Sequence, residues 1–222
     1  MEVERAMGHF WMLGDLRKNG GKPITANESL IPASYAQVFP RLEGLTSLSG
    51  KENISLPDFL CQDSEKRSSS SCTLIAISFK QFGFEKLNGW IEPFETAVCH
   101  GIGPESRAGR AKVVQISIIE GSLYKMFSGL FVRSWKSSTL EELHENTLLH
   151  FGSEDDTKRF RESLRMHNTL TGYVALVDGI GRLRWMGSGE ASDEEIATLI
   201  DCARELTPTK SVRSRKSTPK TK

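Results

Sequence analysis

No CxxC pair occurs anywhere in this 222-residue chain. Its four cysteines, Cys61, Cys72, Cys99 and Cys202, are scattered, which excludes a small disulfide scaffold and fits a reducing compartment. No run of about 18 apolar residues is present, so no transmembrane helix is expected. The phosphate-loop pattern GxxxxGK[ST] is missing too; the glycines of "GIGRLRWMGSG" read as turn formers. Strong net charge is also lacking, with 29 basic against 28 acidic residues, which argues against an overall pull toward nucleic acid. That balance hides an asymmetry. The last sixteen residues, "TPTKSVRSRKSTPKTK", hold six Lys/Arg and no acid; removing those six from the 29 leaves 23 basic against 28 acidic residues in the body. The opening "MEVERAMGHF" has no apolar core and carries Glu2 and Glu4, so it reads as neither a secretory signal nor a transit peptide.

What is present is an alternation of strand and helix patterns. Residues 9–20 have the pattern of a short amphipathic helix stopped by Gly20 and Gly21, and 22–41, with Pro23, Pro32 and Pro40, read as an extended arm. "LEGLTSLSGKENISLPDF" reads as a hairpin turning at Ser49-Gly50, and "CQDSEKRSSSSC" as a solvated loop. "TLIAISFK" (73–80) and "AKVVQISIIE" (111–120) are compact apolar runs, predicted as buried strands. Between them, "FGFEKLNGWIEPFETAVC" is helical in part, weakened by Gly89 and Pro93. Apolar residues at three- and four-residue spacing, Leu123, Met126, Phe127, Leu130 and Phe131, predict a helix over 122–136; another covers 154–167. Tyr173–Asp178 and Arg182–Met186 form strands around an Asp-Gly turn. Ser192 then caps a helix whose stripe is Ile196, Leu199, Ile200, Ala203 and Leu206, with acids at its positive end.

The order hairpin, strand, helix, strand, helices, strand, strand, helix predicts an α/β fold: a thioredoxin-like central sheet flanked by helices, with an extended N-terminal arm and a disordered C-terminal tail. The expected divisions are 1–39 for the short helix and arm, 40–206 for the thioredoxin-like domain and 207–222 for the basic tail.

Redox chemistry on such a scaffold needs a stabilised thiolate where the first buried strand meets the next helix. Here that junction reads "SFKQFGFEKLNGW", without a cysteine. Cys99 lies at the far end of the helix, where the dipole disfavours a thiolate. Cys99-His100 is one adjacent pair, short of the four ligands of a structural zinc site, and His144, His150 and His167 do not complete it by spacing. Glu194 and Glu195 are dipole partners rather than an acid/base pair. No catalytic residue, metal or cofactor is therefore expected. Arg182 and Arg184 share one strand face, with Trp185 on the other; the Arg pair reads as a solvated face or a contact patch, and Trp185 as core.

The blocks "NESLIPASYAQVFPRLEGLTSLSGKENISLP" and "GYVALVDGIGRLRWMGSGEASDEEIATLIDCAREL" resemble, in that order, the two signature blocks of the mitochondrial ATP synthase assembly factors that act on the Fo sector. The resemblance covers most of residues 10–206. It implies a thioredoxin-like chaperone without redox cysteines, peripheral on the matrix side of the mitochondrial inner membrane. Its implied client is newly made ATP synthase subunit a (subunit 6), which it would help join the c-ring; nucleic acid is not an implied partner. The absent transit peptide and the basic tail depart from the family pattern. The partner-binding residues proposed from sequence are Ile31, Tyr35 and Phe39 on the arm and Arg182 and Arg184 on the strand, with the arm strapped across the domain's own core as the competing reading. Thiol oxidoreductase or peroxidase is the rival enzyme class; nucleic-acid binding is a weaker rival, resting on the tail without an aromatic RNA-reading motif.

Overall fold

The computed structural model describes residues 21–61, 71–80, 83, 85–100 and 110–208. The helix expected over 9–20, most of the Ser-rich loop and the tail from residue 209 lie outside them. In chain order the described elements begin with the hairpin β1 (Leu42–Ser47) and β2 (Ile54–Leu56) and a single turn α1 (Asp58–Cys61). Strand β3 (Cys72–Ser78) leads to α2 (Asn88–Phe94), which continues as a π-helical turn over Glu95–Cys99. Strand β4 (Ala111–Glu120) is followed by two helices, α3 (Ser122–Met126) and α4 (Ser128–Ser138). Then come β5 (Thr147–Gly152), α5 (Glu154–Ser163), β6 (Tyr173–Asp178), β7 (Leu183–Ser188) and α6 (Asp193–Leu206).

One seven-stranded sheet runs in the order β2-β1-β5-β4-β3-β6-β7. Strand β3 is parallel to β4 and antiparallel to β6; β4 and β5 are parallel, and β6 and β7 antiparallel. The segment β4-β3-β6-β7, with α2 between the two parallel strands and α6 after the hairpin, is a thioredoxin-like arrangement. Strand β5 and the β1–β2 hairpin widen the sheet on the other side. All seven residues of β3 are buried, as a central strand covered on both faces requires. Its period of two divides the core. Ile75 and Ile77 join Val114, Ile116, Tyr173 and Val177 beneath Phe39, Phe160 and Leu164. Leu74 and Ala76 join Leu176 and Trp185 beneath Trp90, Phe94, Leu199 and Ala203.

Local chemistry sets the helix boundaries. Ser153 with Asp156, and Ser192 with Glu195, form reciprocal capping boxes, each followed by an acidic first turn. Pro93 sits inside α2, and the following turn widens to π geometry, with the His100 amide donating to the Glu95 carbonyl.

Three departures from the sequence reading stand out. Strand β5, "TLLHFG", was not expected; a histidine inside a short apolar run masked it. The helix expected over 122–136 is two helices broken at Phe127, and α4 holds no fully buried residue. The second strand of the last hairpin extends to Ser188.

His150 explains part of what hid β5. It is buried on that strand, and neither ring nitrogen makes a hydrogen bond of ordinary geometry. Burial pushes its pKa below the usual imidazole value, offset in part by the Glu43 backbone and the Asp156 and Glu120 carboxylates. The depressed pKa means that the unfolded chain binds a proton more readily than the fold does. Stability linked to His150 is therefore complete above the unfolded value, about 6.5, and lost as pH falls through it toward the folded value. Relative to a His150→Gln variant, the wild-type urea midpoint should drop between neutral and mildly acidic pH; parallel pH profiles would remove His150 as the cause.

Candidate functional site

Three places bear on function: the arm on β7, the cysteine-free junction after β3, and the cleft beside it.

The arm lies along β7 and seals that sheet edge. The Asn27 amide donates to the Met186 carbonyl at 3.1 Å, Ile31 to Arg184 at 2.7 Å, and Phe39 to Gly181 at 2.8 Å; in return the Leu183 amide donates to the Gln37 carbonyl at 2.8 Å. The Asn27 side chain accepts from the Met186 amide, and its carbonyl from the Trp185 indole. A client strand thus finds no free edge at β7 while the arm is in place.

The clamp on this arm is Asp178, 4% exposed at the end of β6. Its carboxylate accepts from the Arg182 amide at 2.9 Å within a turn that Gly181 completes at φ 85°. It also accepts from Arg182 Nε at 2.9 Å and pairs with Arg184 NH1 at 3.2 Å. The two guanidiniums reach on to the arm, Arg184 Nε to the Ile31 carbonyl at 2.8 Å and Arg182 NH1 to the Ala33 carbonyl at 3.3 Å.

This geometry corrects part of the expected partner surface. Arg182 and Arg184 do point to one side, but Arg184 is buried at 7% exposure rather than solvated. A bulge between the Leu176 and Val177 pairings leaves it out of regular register, free to turn toward Asp178. Phe39 is 1% exposed, stacked edge-on against Phe160 in the core, so it offers nothing to a partner. Ile31 is half-buried. Tyr35, 79% exposed, is the arm residue left to solvent among those named from sequence. Trp185 is core, fully buried against Trp90.

Where β3 gives way to α2, a redox enzyme of this fold carries its thiolate. This junction is filled by backbone instead. A Cβ on Gly83 would stand 2.9 Å from the Thr171 carbonyl carbon, and one on Gly172 would stand 2.6 Å from the Gly83 carbonyl oxygen. All four cysteines are free thiols. Burial, helped by Glu95, pushes Cys99 up to about 12. Burial, helped by Glu205 and Asp201, pushes Cys202 up to about 11. Among the described residues no group of three or more His, Cys, Asp or Glu side chains is placed to hold a metal ion.

Beside the junction lies a cleft of about 480 Å³ between the ends of β3 and β4 and the inner side of α4. Phe79, Ile118, Trp135, Leu140 and Leu143 supply apolar walls. Its polar lining includes Lys80, Gln115 and the pair Ser78 and Ser117, whose hydroxyls hydrogen-bond each other at 3.1 Å. A cleft with apolar walls and a few polar groups is suited to taking up apolar side chains. Its walls come from five separate segments of the chain, so periodicity carried no signal for it.

Comparison with known proteins gives a consistent picture. A family model described as ATP10 protein matches residues 1–206. The mitochondrial ATPase complex subunit ATP10 of Candida glabrata is 26% identical over 211 residues, covering 95% of this chain and 71% of that one. Its namesake from Eremothecium gossypii is 27% identical over 188 residues, covering 85% of this chain and 64% of the relative. Among solved structures, BsSco, a member of the Sco family of cytochrome c oxidase assembly proteins, aligns at a TM-score of 0.46 and 12% identity over 81% of this chain and 98% of its own.

Two outcomes follow from the site geometry. Asp178→Asn leaves the buried Arg184 without its counter-charge, so it should cost about 3 kcal/mol or more in urea unfolding and open the arm to limited proteolysis; an unchanged midpoint would show that the clamp is idle. A thiol at about 12 leaves about one thiolate in ten thousand at pH 8. Cys99 should therefore be alkylated about a thousandfold more slowly in the native chain than in the unfolded one, as read by peptide mass spectrometry; equal rates would restore a reactive thiol.

Proposed function

The chain belongs to the ATP10 protein family, and we propose that it is a non-enzymatic assembly factor of the mitochondrial ATP synthase. In this reading it works on the Fo sector at the matrix side of the inner membrane, as a peripheral protein. It binds newly made subunit a and promotes its joining to the c-ring. The observation that carries the reading is the family match across residues 1–206, together with relatives named as mitochondrial ATPase complex subunits. The structure adds an apolar cleft beside the junction where a redox enzyme keeps its thiolate. No helix among the described residues is long and apolar enough to cross a membrane.

A transient chaperone for a membrane subunit needs apolar surface that water tolerates until the client arrives. We assign client contact to the cleft mouth at Leu140, 66% exposed, and to Tyr35 with the half-buried Ile31 on the arm. Arg182 and Arg184 act indirectly, by holding the arm that presents Tyr35.

Pulse-labelling of mitochondrial translation in a line lacking this protein, followed by native gels, tests the function. ATP hydrolysis by the catalytic head should persist, while subunit a fails to enter the complex and is degraded. Normal entry of subunit a would sink the reading. Leu140→Glu alters an exposed side chain, so it should keep the melting temperature yet reduce rescue of the null line; full rescue would remove the cleft mouth from the client surface. A folded cysteine-free variant should rescue as well as wild type.

A further inference from the structure

The helices between β4 and β5 present two faces. The inner face of α4, with Phe131 and Trp135, is half-buried against the domain; Phe131 stacks on Tyr124 and on Phe151 of β5. Among the described residues, Phe131 touches Tyr124 and the rest of the outer face is left open. Tyr124, Met126, Phe127 and Leu130 are 47%, 68%, 48% and 67% exposed, half of all the large exposed hydrophobics among the described residues, within seven positions of the chain. Core packing does not account for them, since Phe131 already anchors the segment.

Charge decides what kind of surface this is. From Gly121 to Leu140 the chain carries Lys125, Arg133 and Lys136 and no acid, although the body as a whole has an acidic excess. All three cations are exposed, and none forms an ion pair among the described residues. An apolar ridge with an aromatic ring, flanked by unpaired cations, is what a helix needs to lie in the headgroup region of an anionic bilayer, with its apolar side chains sunk and its cations among the phosphates.

We propose that the outer face of α3 and α4 is a docking surface for anionic lipid, through insertion of Met126, Phe127 and Leu130 and contact of Lys125, Arg133 and Lys136 with headgroup phosphates. This rests on the peripheral attachment of the proposed function, for which it names the surface, and is independent of client binding. The opposite side of the same α4 walls the cleft, so docking sets the cleft at the bilayer surface.

The test is sedimentation of the full-length chain with phosphatidylcholine vesicles, with and without phosphatidylglycerol, in the absence of any client. The wild type should pellet with the anionic vesicles alone, and binding should weaken as ionic strength rises. Met126→Ser/Phe127→Ser/Leu130→Ser should lower the partition coefficient by about two orders of magnitude, since the apolar area driving insertion is gone. Arg133→Gln/Lys136→Gln should lower it by about fivefold for each charge removed. Near-UV circular dichroism checks that both variants are folded; all five changes are on exposed side chains. A full-length variant with Lys210, Arg213, Arg215, Lys216, Lys220 and Lys222 changed to Gln separates this face from the basic tail and should retain the apolar-dependent binding. Three results would overturn the proposal: no vesicle binding by the wild type, unchanged binding by the folded apolar variant, or loss of all binding with the tail charges alone. Crosslinking of Phe127 to a protein client with no vesicle binding would reassign the face to protein.

Discussion

One buried carboxylate organises the edge of this molecule. Asp178 ends β6, shapes the turn to β7, pairs with the part-exposed Arg182 and neutralises Arg184, which would otherwise face low-dielectric protein unpaired. Those guanidiniums in turn grip the arm by its carbonyls. A sheet edge is a template for unwanted pairing, and β7 is long enough to be one. Covering it with the chain's own arm solves that problem, but it fixes where a partner must bind. Backbone pairing at β7 is used up internally, so the proposed contacts of this side of the molecule are side-chain ones, among them the exposed Tyr35.

The same fold places Cys99 where a thiolate is disfavoured. A reactive cysteine needs a helix N-terminus or a cation to stabilise its anion. Cys99 has the reverse on every count: it is at the C-terminal end of its helix, desolvated and beside Glu95. The junction that ought to carry the thiol is packed backbone to backbone at Gly83 and Gly172. A thiolate there would need new space as well as a new residue.

Much of the fold was legible because it is periodic. Strands β3 and β4 announced themselves as continuous apolar runs, and α6 by its cap, acidic first turn and stripe. Strand β5 was not legible, because His150 interrupts its apolar pattern, and a buried imidazole without ordinary hydrogen-bond partners is not something that local propensity anticipates. The arm's docking was hidden for a different reason. It depends on a bulge that turns Arg184 inward, and a one-residue change of register is invisible to alternation. That bulge moved Arg184 from solvent to the interior, while Phe39 entered the core as the arm's anchor. The cleft was out of reach altogether, being assembled from residues as far apart as Phe79 and Leu143.

The helices between β4 and β5 show periodicity giving the right element and the wrong inference about burial. Leu123, Met126, Phe127, Leu130 and Phe131 have the spacing of a core-facing stripe, yet α4 has no fully buried residue. The break at Phe127 splits the pattern, and Phe131 makes a ring contact with Phe151 of β5. A domain gains stability by burying apolar side chains, so leaving several on one outer face is a cost unless something else covers them. The segment also lacks acids, which a surface meant simply to stay soluble would mix with its bases. Retained apolar area and one-sign charge occur together on the face that points away from the cleft, while the residues pointing toward it form the cleft wall. A single short helical segment therefore couples two surfaces of different character. Whatever covers the outer face therefore also fixes the position and orientation of the inner one, and with it the cleft.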